Sequence, residues 1–489
     1  MPVITARELI LALRAYRVSY NLFLHPLRRF PGPCWHRSSR LPVVTQLWRG
    51  KLVYHLQDLH ARYGPVVRTA PDELSFLDTA AWKDIYGRRV SLPSGLAELP
   101  KWQRFYRLHD TKGQTTIMNA EPALHTLLRR QLAPGFSERS MREQEGIISG
   151  YVDLLLRGLR QKSGSVVDMR TWFTWTSFDI IGDLTLGSSF GCLETQKWHP
   201  LVTRFSGSSR EFTFISGLRM LGWDWLVGMI MSIGMPTRKK ILGMTAEMLS
   251  KRRQQKGGRP DLIESMLGQT ANEQLDFEVV HGTARSLLLA GAETTATMLC
   301  GVTFLLLTNP QVLHRVKEEV RSAFSSEKEI TLATVKNLTY TPACLKEALR
   351  LYPPIPVGLP RYTPPGGAVI AGNAVPENTV VYVPHVAMYR SPTHWTNPHQ
   401  YRPERFLGDA EYSKDDLEAL QPFSVGPRSC IGMNLAFAEM NLILARIIFS
   451  FDLELSTESW LKRLGHCSYD LEFGSQWEMK EEDMCSGQV

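Results

Sequence analysis

Apolar residues recur every three or four positions over 51–63, 141–160, 277–308, 310–324 and 431–448, and that period predicts helices there. Between 66 and 77 the pattern shortens: 66–69 and 74–77 read as strands turning back at Pro71-Asp72. Past Tyr352 the texture changes. Prolines 353, 354, 356, 360, 364, 365, 376 and 384 break the chain into short β-rich pieces such as 379–384. A helix-rich start, a mixed second part and no repeat or low-complexity linker between them predict a mainly α chain with smaller β-sheets (α+β). The Phe30-Pro31-Gly32-Pro33 corner divides it into an apolar, amphipathic segment at 1–29 and one large domain at 30–489.

Three stretches are apolar enough to raise the question of a membrane. Residues 1–24 carry Leu9, Ile10, Leu11, Leu13, Leu22, Phe23 and Leu24, but Arg7, Glu8, Arg14 and Arg17 interrupt them. That is not a spanning helix. It reads equally as an interface helix with snorkelling arginines or as a short lead into the domain. Residues 286–308 are long enough to span, yet Glu293 and the threonines at 294, 295 and 297 sit at their middle. Ionisable groups at that depth are costly, so a helix through a large core explains the pattern better. Residues 212–235 hold Trp223, Trp225 and four methionines, with Arg219 and Asp224 the only charges. Core packing is the ordinary reading; an adaptable face toward an apolar ligand or lipid is the sharper one.

With 43% hydrophobic and 21% charged residues, the 489-residue chain can enclose a cofactor away from water, which excludes disorder and fibrous classes. The net charge of +8 is scattered, so no nucleic-acid partner is expected, and KRRQQKGGRPD at 251–261 reads as a solvated loop. Seven cysteines at 34, 192, 300, 344, 430, 467 and 485 show no CxxC pair. Sparse, unpaired thiols suit a reducing compartment and exclude a zinc ribbon.

The most informative segment is FSVGPRSCIG at 423–432. Gly426 and Gly432 bracket Cys430 and let the loop fold tightly beneath something flat. Cys430 falls directly before the helix expected from Ile431, where free N–H groups and the helix dipole favour a thiolate. A thiolate in such a loop suits a soft metal ligand.

The segment resembles the cysteine-ligand loop of the cytochrome P-450 superfamily, Phe-x-x-Gly-x-Arg-x-Cys-x-Gly, at every fixed position. The resemblance implies haem b (iron protoporphyrin IX) with Cys430 as axial ligand and Gly432 closing the loop. It also implies that Phe423 shields the sulfur and Arg428 neutralises a haem propionate. Further motifs agree. Glu347-Ala-Leu-Arg350 followed by Pro403-Glu404-Arg405-Phe406 matches the family's Glu-Arg-Arg network. His125 and Arg129 match its propionate-binding helix, with His125 where many relatives carry Trp. Arg361 resembles the propionate-binding arginine of the first sheet. Ala290-Gly291-Ala292-Glu293-Thr294-Thr295 matches the oxygen-activating segment of the central helix, which makes Glu293 and Thr294 its proton-relaying pair.

The likeness runs from near Tyr20 to about Leu453 and is strongest with the fungal microsomal branch that modifies terpenoids and other secondary metabolites. It therefore implies a monooxygenase using O2, a lipophilic small molecule and electrons from an NADPH-dependent cytochrome P-450 reductase. The implied location is the cytosolic face of the endoplasmic reticulum membrane, although the branch's usual spanning leader is missing and residues 460–489 fit it poorly. Substrate choice is expected in the loop at 90–120, in 212–235, at the centre of 286–308 and in 355–359. Rival readings are a haem-thiolate isomerase or dehydratase, a non-enzymatic haem sensor or carrier, and a transporter built around 286–308.

Overall fold

The computed structural model describes residues 5–89, 97–106, 115–255, 259–267, 275–456 and 476–481. Its axis is the helix Phe277–Leu307, 31 residues long and so about 46 Å from end to end. Beside it lies Met169–Leu186, a helix buried on nearly every side. Gly291 lets the two approach closely: a Cβ there would stand 2.8 Å from Ile181 Cδ1. Around this pair pack the amphipathic helices Glu138–Arg160, Pro310–Ala323 and Tyr340–Leu351, together with Met433–Ser450. The central helix and Met433–Ser450 are both long and apolar enough to cross a membrane by length and composition, and each has more than half of its apolar stretch buried in protein.

The strands form a separate, smaller layer. In a four-stranded sheet Val66–Ala70 pairs antiparallel with Glu73–Phe76, Glu73–Phe76 runs parallel to Val380–Tyr382, and Arg361–Tyr362 closes the far edge. That edge puts Arg361 beside Lys101 through an isolated bridge. A three-stranded sheet joins Val166–Asp168, Gln476–Glu481 and Phe451–Leu455, and Ala368–Ile370 pairs with Asn373–Val375.

Several sequence expectations change here. The chain joins the body before the Phe30–Pro33 corner: Leu27 is fully buried, Asn21 Nδ2 donates to the Ser38 carbonyl at 3.1 Å, and Arg68 Nη1 donates to the Asn21 carbonyl at 2.9 Å. Ahead of that anchorage, Ala6–Ser19 is a helix with Leu9, Leu11, Leu13 and Tyr16 exposed. The 251–261 segment is not simply a solvated loop. The helix Met235–Gln254 extends into it, and Arg252 is buried against Asp261, with Nε to Oδ2 at 2.7 Å, and against Glu264. Nor is 212–235 a core helix. It divides at Gly222 into Ser208–Met220 and Asp224–Ile233, burying Ile215, Leu218, Val227 and Met231 while Trp223, Trp225, Met229 and Ile233 remain exposed.

Candidate active site

The cysteine loop is tied down by its own backbone. Gly426 has φ +75°, and a Cβ there would overlap the Tyr86 carbonyl oxygen, so only glycine fits. The Cys430 N–H donates to the Phe423 carbonyl at 2.8 Å, and the Phe423 ring packs 5.2 Å from that of Phe437. Arg129 reaches across from the helix Pro122–Leu132, with Nη1 to the Ser429 carbonyl at 2.6 Å and Nη2 to Ser429 Oγ at 3.3 Å. The following helix starts at Met433 with Gly432 as its cap, three residues later than Cys430 rather than immediately after it. The thiol therefore gains less from the helix terminus than the sequence suggested. Burial pushes its pKa up, while the Gly432 N–H and the Arg129 charge pull it down. Cys430 is exposed, whereas Cys192 and Cys344 are buried outright.

A cluster of cations stands nearby. Arg428 donates through Nε and Nη2 to Glu98 Oε1 at 2.9 and 2.8 Å, and through Nη1 to the Ala120 carbonyl at 2.8 Å. Arg361 is buried, lies over the Tyr86 ring at 5.7 Å and donates through Nη1 to the Leu99 carbonyl at 3.5 Å, while its Nε has no hydrogen-bond partner among the described residues. Lys101 lies over the Tyr106 ring at 4.6 Å and donates to the Met118 carbonyl. Burial, then Arg361 and Arg428, depress its pKa to about 6. His125 is pushed down to about 4 by burial, Arg428 and Lys101. Glu98 is the carboxylate among the described residues that acts on this group. A buried guanidinium with an unmet N–H is costly unless an anion completes it. The cluster thus fits a ligand bearing carboxylates, as haem does.

The structure brings His125, Arg361 and Arg428 together and adds Lys101 and Glu98, which sequence reasoning missed. Both sit in the unpatterned 90–120 loop, where no motif marks them. Within that loop, 90–96 and 107–114 lie outside the described residues.

On the central helix, Thr294 donates its hydroxyl proton to the Ala290 carbonyl one turn back. The donor is thus engaged by the helix, and the oxygen lone pairs remain available to accept. Burial raises the pKa of neighbouring Glu293 to about 7, with Arg170 opposing the rise. Farther off, Glu347 joins two arginines in a fully buried node. Arg350 donates to both of its oxygens at 2.7 and 2.8 Å, and Arg405 Nε donates to Oε1 at 3.1 Å while also pairing with Asp415.

An accessible cysteine tethered in a glycine-pinned loop, beside a basic cluster that calls for carboxylates, defines a haem-thiolate protein. Comparison with known proteins carries this further. The Cytochrome P450 family pattern matches residues 34–465. The cytochrome P450 monooxygenase tpeC of Talaromyces stipitatus is 51% identical over 93% of this chain and 90% of its own. Cytochrome P450 monooxygenase 1 of Neocamarosporium betae is 42% identical over 93% and 92%. The averantin hydroxylase of Dothistroma septosporum is 40% identical over 92% and 85%. The chain belongs to the cytochrome P450 family: it is a monooxygenase carrying haem with a cysteine thiolate ligand. The transporter and haem-carrier readings are set aside.

Proposed function

We propose that this monooxygenase inserts one oxygen atom of O2 into a lipophilic fungal secondary metabolite of terpenoid or polyketide type, by hydroxylation or epoxidation. An NADPH-dependent cytochrome P-450 reductase at the endoplasmic reticulum membrane supplies the electrons. The accessible Cys430 in its pinned loop carries the reading, because a sulfur so held can ligate iron. When bound, haem supplies the reductive activation of dioxygen. The chain's own groups do the rest. Cys430 donates the thiolate, Phe423 and Gly432 shape its loop, and Arg129 steadies that loop through Ser429. Arg361, Arg428, His125 and Lys101 answer the haem carboxylates. Glu293 holds and releases protons, and Thr294 offers an acceptor oxygen on the same turn. Glu347, Arg350 and Arg405 hold the scaffold.

One relative is named for the hydroxylation of averantin, which supports hydroxylation as the reaction. The exposed apolar groups of Ala6–Ser19 and of Asp224–Ile233, with Trp225 71% and Ile233 78% exposed, support contact with a lipid surface. Vesicle co-sedimentation that survives Trp225→Ser with Ile233→Ser unchanged would remove that support.

The test begins with the spectrum of the dithionite-reduced protein under carbon monoxide. A strongly red-shifted Soret band, lost in Cys430→Ala, is the expected result; an unchanged band in the variant overturns the ligand assignment. Heavy-oxygen label from O2 in the product separates oxygenation from isomerisation or dehydration. Apolar metabolites should perturb the haem spectrum; a response restricted to polar, charged compounds would contradict the substrate class.

A further inference from the structure

His36 and His55 come from different elements and meet edge to edge. His36 lies in the short helix Cys34–Ser38, just past the Phe30–Pro33 corner, and His55 near the start of Leu52–Tyr63. Their Nε2 atoms stand 2.9 Å apart, with ring centres 4.9 Å apart and ring planes 24° from parallel. Nothing in the monooxygenase chemistry above uses this pair.

The hydrogen bonds fix what each ring offers. His36 Nδ1 lies 2.9 Å from the Thr69 carbonyl oxygen, which can only accept, so Nδ1 carries the proton. Its Nε2 is therefore a bare lone pair, steadied by a bond to the backbone of the strand Val66–Ala70. Metal-ligating histidines take this form, with one ring N–H on a carbonyl and the other nitrogen free. His36 is 4% exposed, so its lone pair finds little water. His55 is half-buried and supplies the second nitrogen. Burial holds both rings below the usual histidine pKa, which keeps them neutral and able to ligate. Glu73 acts on His36 and Asp58 on His55 as charges that favour a cation, with Arg62 opposing at His55.

Room for an ion and its waters lies beside the pair. Both rings line a surface pocket of about 310 Å³, to which Gln46 brings a carboxamide oxygen. No third histidine, cysteine or carboxylate completes a metal cluster among the described residues, so water and neutral oxygens fill the other positions. Two imidazoles with oxygen donors suit Zn2+, Cu2+ and Ni2+ rather than Ca2+ or Mg2+. Zinc–nitrogen bonds of about 2.0–2.1 Å at a tetrahedral angle place two nitrogens roughly 3.4 Å apart. His55, on the open side, reaches that spacing by tilting about half an ångström.

We propose that His36 and His55 form a two-histidine clip for a divalent transition-metal ion (Zn2+, Cu2+ or Ni2+), which fastens the helix Cys34–Ser38 to the helix Leu52–Tyr63. Two Nε2–metal bonds replace the single N–H···N bond between the rings. His55 moves its proton from Nε2 to Nδ1, two waters leave the ion, and no electron is transferred. Bound metal thereby stiffens the corner through which the chain enters the domain.

The test uses the haem-loaded full chain, free of any affinity tag and stripped of loose metal with EDTA. Zinc chloride is titrated by calorimetry, and thermal unfolding is followed with and without it. A His55-dependent Zn2+ should bind, one per chain, and raise the unfolding temperature. His55→Gln keeps a hydrogen-bonding group but removes the ligating nitrogen. It should weaken this binding about tenfold or more and cancel the zinc-dependent rise. Cys34→Ser, which removes the exposed thiol two residues from His36, should leave both readouts unchanged.

Zinc bound equally by the wild type and His55→Gln overturns the clip, and so does a site lost in Cys34→Ser. If the wild type binds no Zn2+, or if His55→Gln lowers the unfolding temperature equally with and without zinc, the pair is a hydrogen bond only and the proposal falls. Should His55→Gln not fold, zinc-edge anomalous maps of soaked wild-type crystals decide. Density bonded to both Nε2 atoms is expected, and its absence overturns the clip.

Discussion

The Arg428 guanidinium donates twice to one oxygen of Glu98, across 330 residues of chain, and thereby ties the cysteine loop to the start of the 97–106 segment. Both partners are buried, and the second oxygen of Glu98 has no partner among the described residues. The Arg428 charge that the motif assigns to a haem propionate is thus shared with Glu98. The unmatched positive charge resides on Arg361, and Lys101 beside it holds its proton weakly unless an anion joins them.

Removing the carboxylate would leave a buried guanidinium facing other cations. Glu98→Gln should cost roughly 3–5 kcal/mol in denaturant unfolding, as breaking a buried pair does. Glu98→Gln combined with Arg428→Gln should cost much less than the sum of the two. Additive losses would mean the two groups do not stabilise one another.

Lys101 is the cation that no motif announced. If it answers a haem carboxylate, Lys101→Met should release haem to a scavenging apoprotein several-fold faster, and Lys101→Arg should restore retention. A release rate unaffected by Lys101→Met would restrict its role to its contacts with Tyr106 and Met118.

What the sequence could and could not show follows from where information sits. Helices with one apolar face, such as Glu138–Arg160 and Pro310–Ala323, announce themselves by period. Met169–Leu186 does not, because a helix buried on nearly all sides carries little contrast between faces. The cysteine loop and the Glu347–Arg350 pair were legible because fixed local spacings hold their residues close, and Arg405, 58 residues from Glu347, was placed with them by the family's motif. Glu98 and Lys101 act at a distance set by tertiary folding, which no local pattern encodes. The charged run at 251–261 misled for the same reason: Arg252 finds Asp261 and Glu264 only once the chain turns back.

If Glu293 relays protons, as proposed above, the reaction is pH-dependent in a definite direction. With its pKa raised to about 7, the carboxyl is protonated below that pH and ionised above it. Product formed per O2 should therefore fall as pH rises through about 7, and Glu293→Gln should lower the yield and remove the step. Thr294→Ala takes away the acceptor oxygen one residue on and should uncouple oxygen use from product while haem stays bound. A pH profile identical in Glu293→Gln and the wild type would assign the step to another group.

Glu439, on the helix that follows the cysteine loop, is buried, and its Oε1 has no partner among the described residues. Burial alone raises its pKa from 4.5 to about 8. The folded state therefore holds this proton more tightly than the unfolded chain. Its contribution is fully present below about 4.5 and is lost as pH rises through about 8. Above that range the protein must keep an ion in an apolar setting. Glutamine has the shape of the protonated acid and never ionises. Glu439→Gln should therefore match the wild type near pH 4.5 and exceed it by an amount on the order of a few kcal/mol at pH 8 and above. Chemical unfolding across that range measures the difference directly. A constant offset between the two proteins would mean that Glu439 keeps the same proton affinity in the folded and unfolded states.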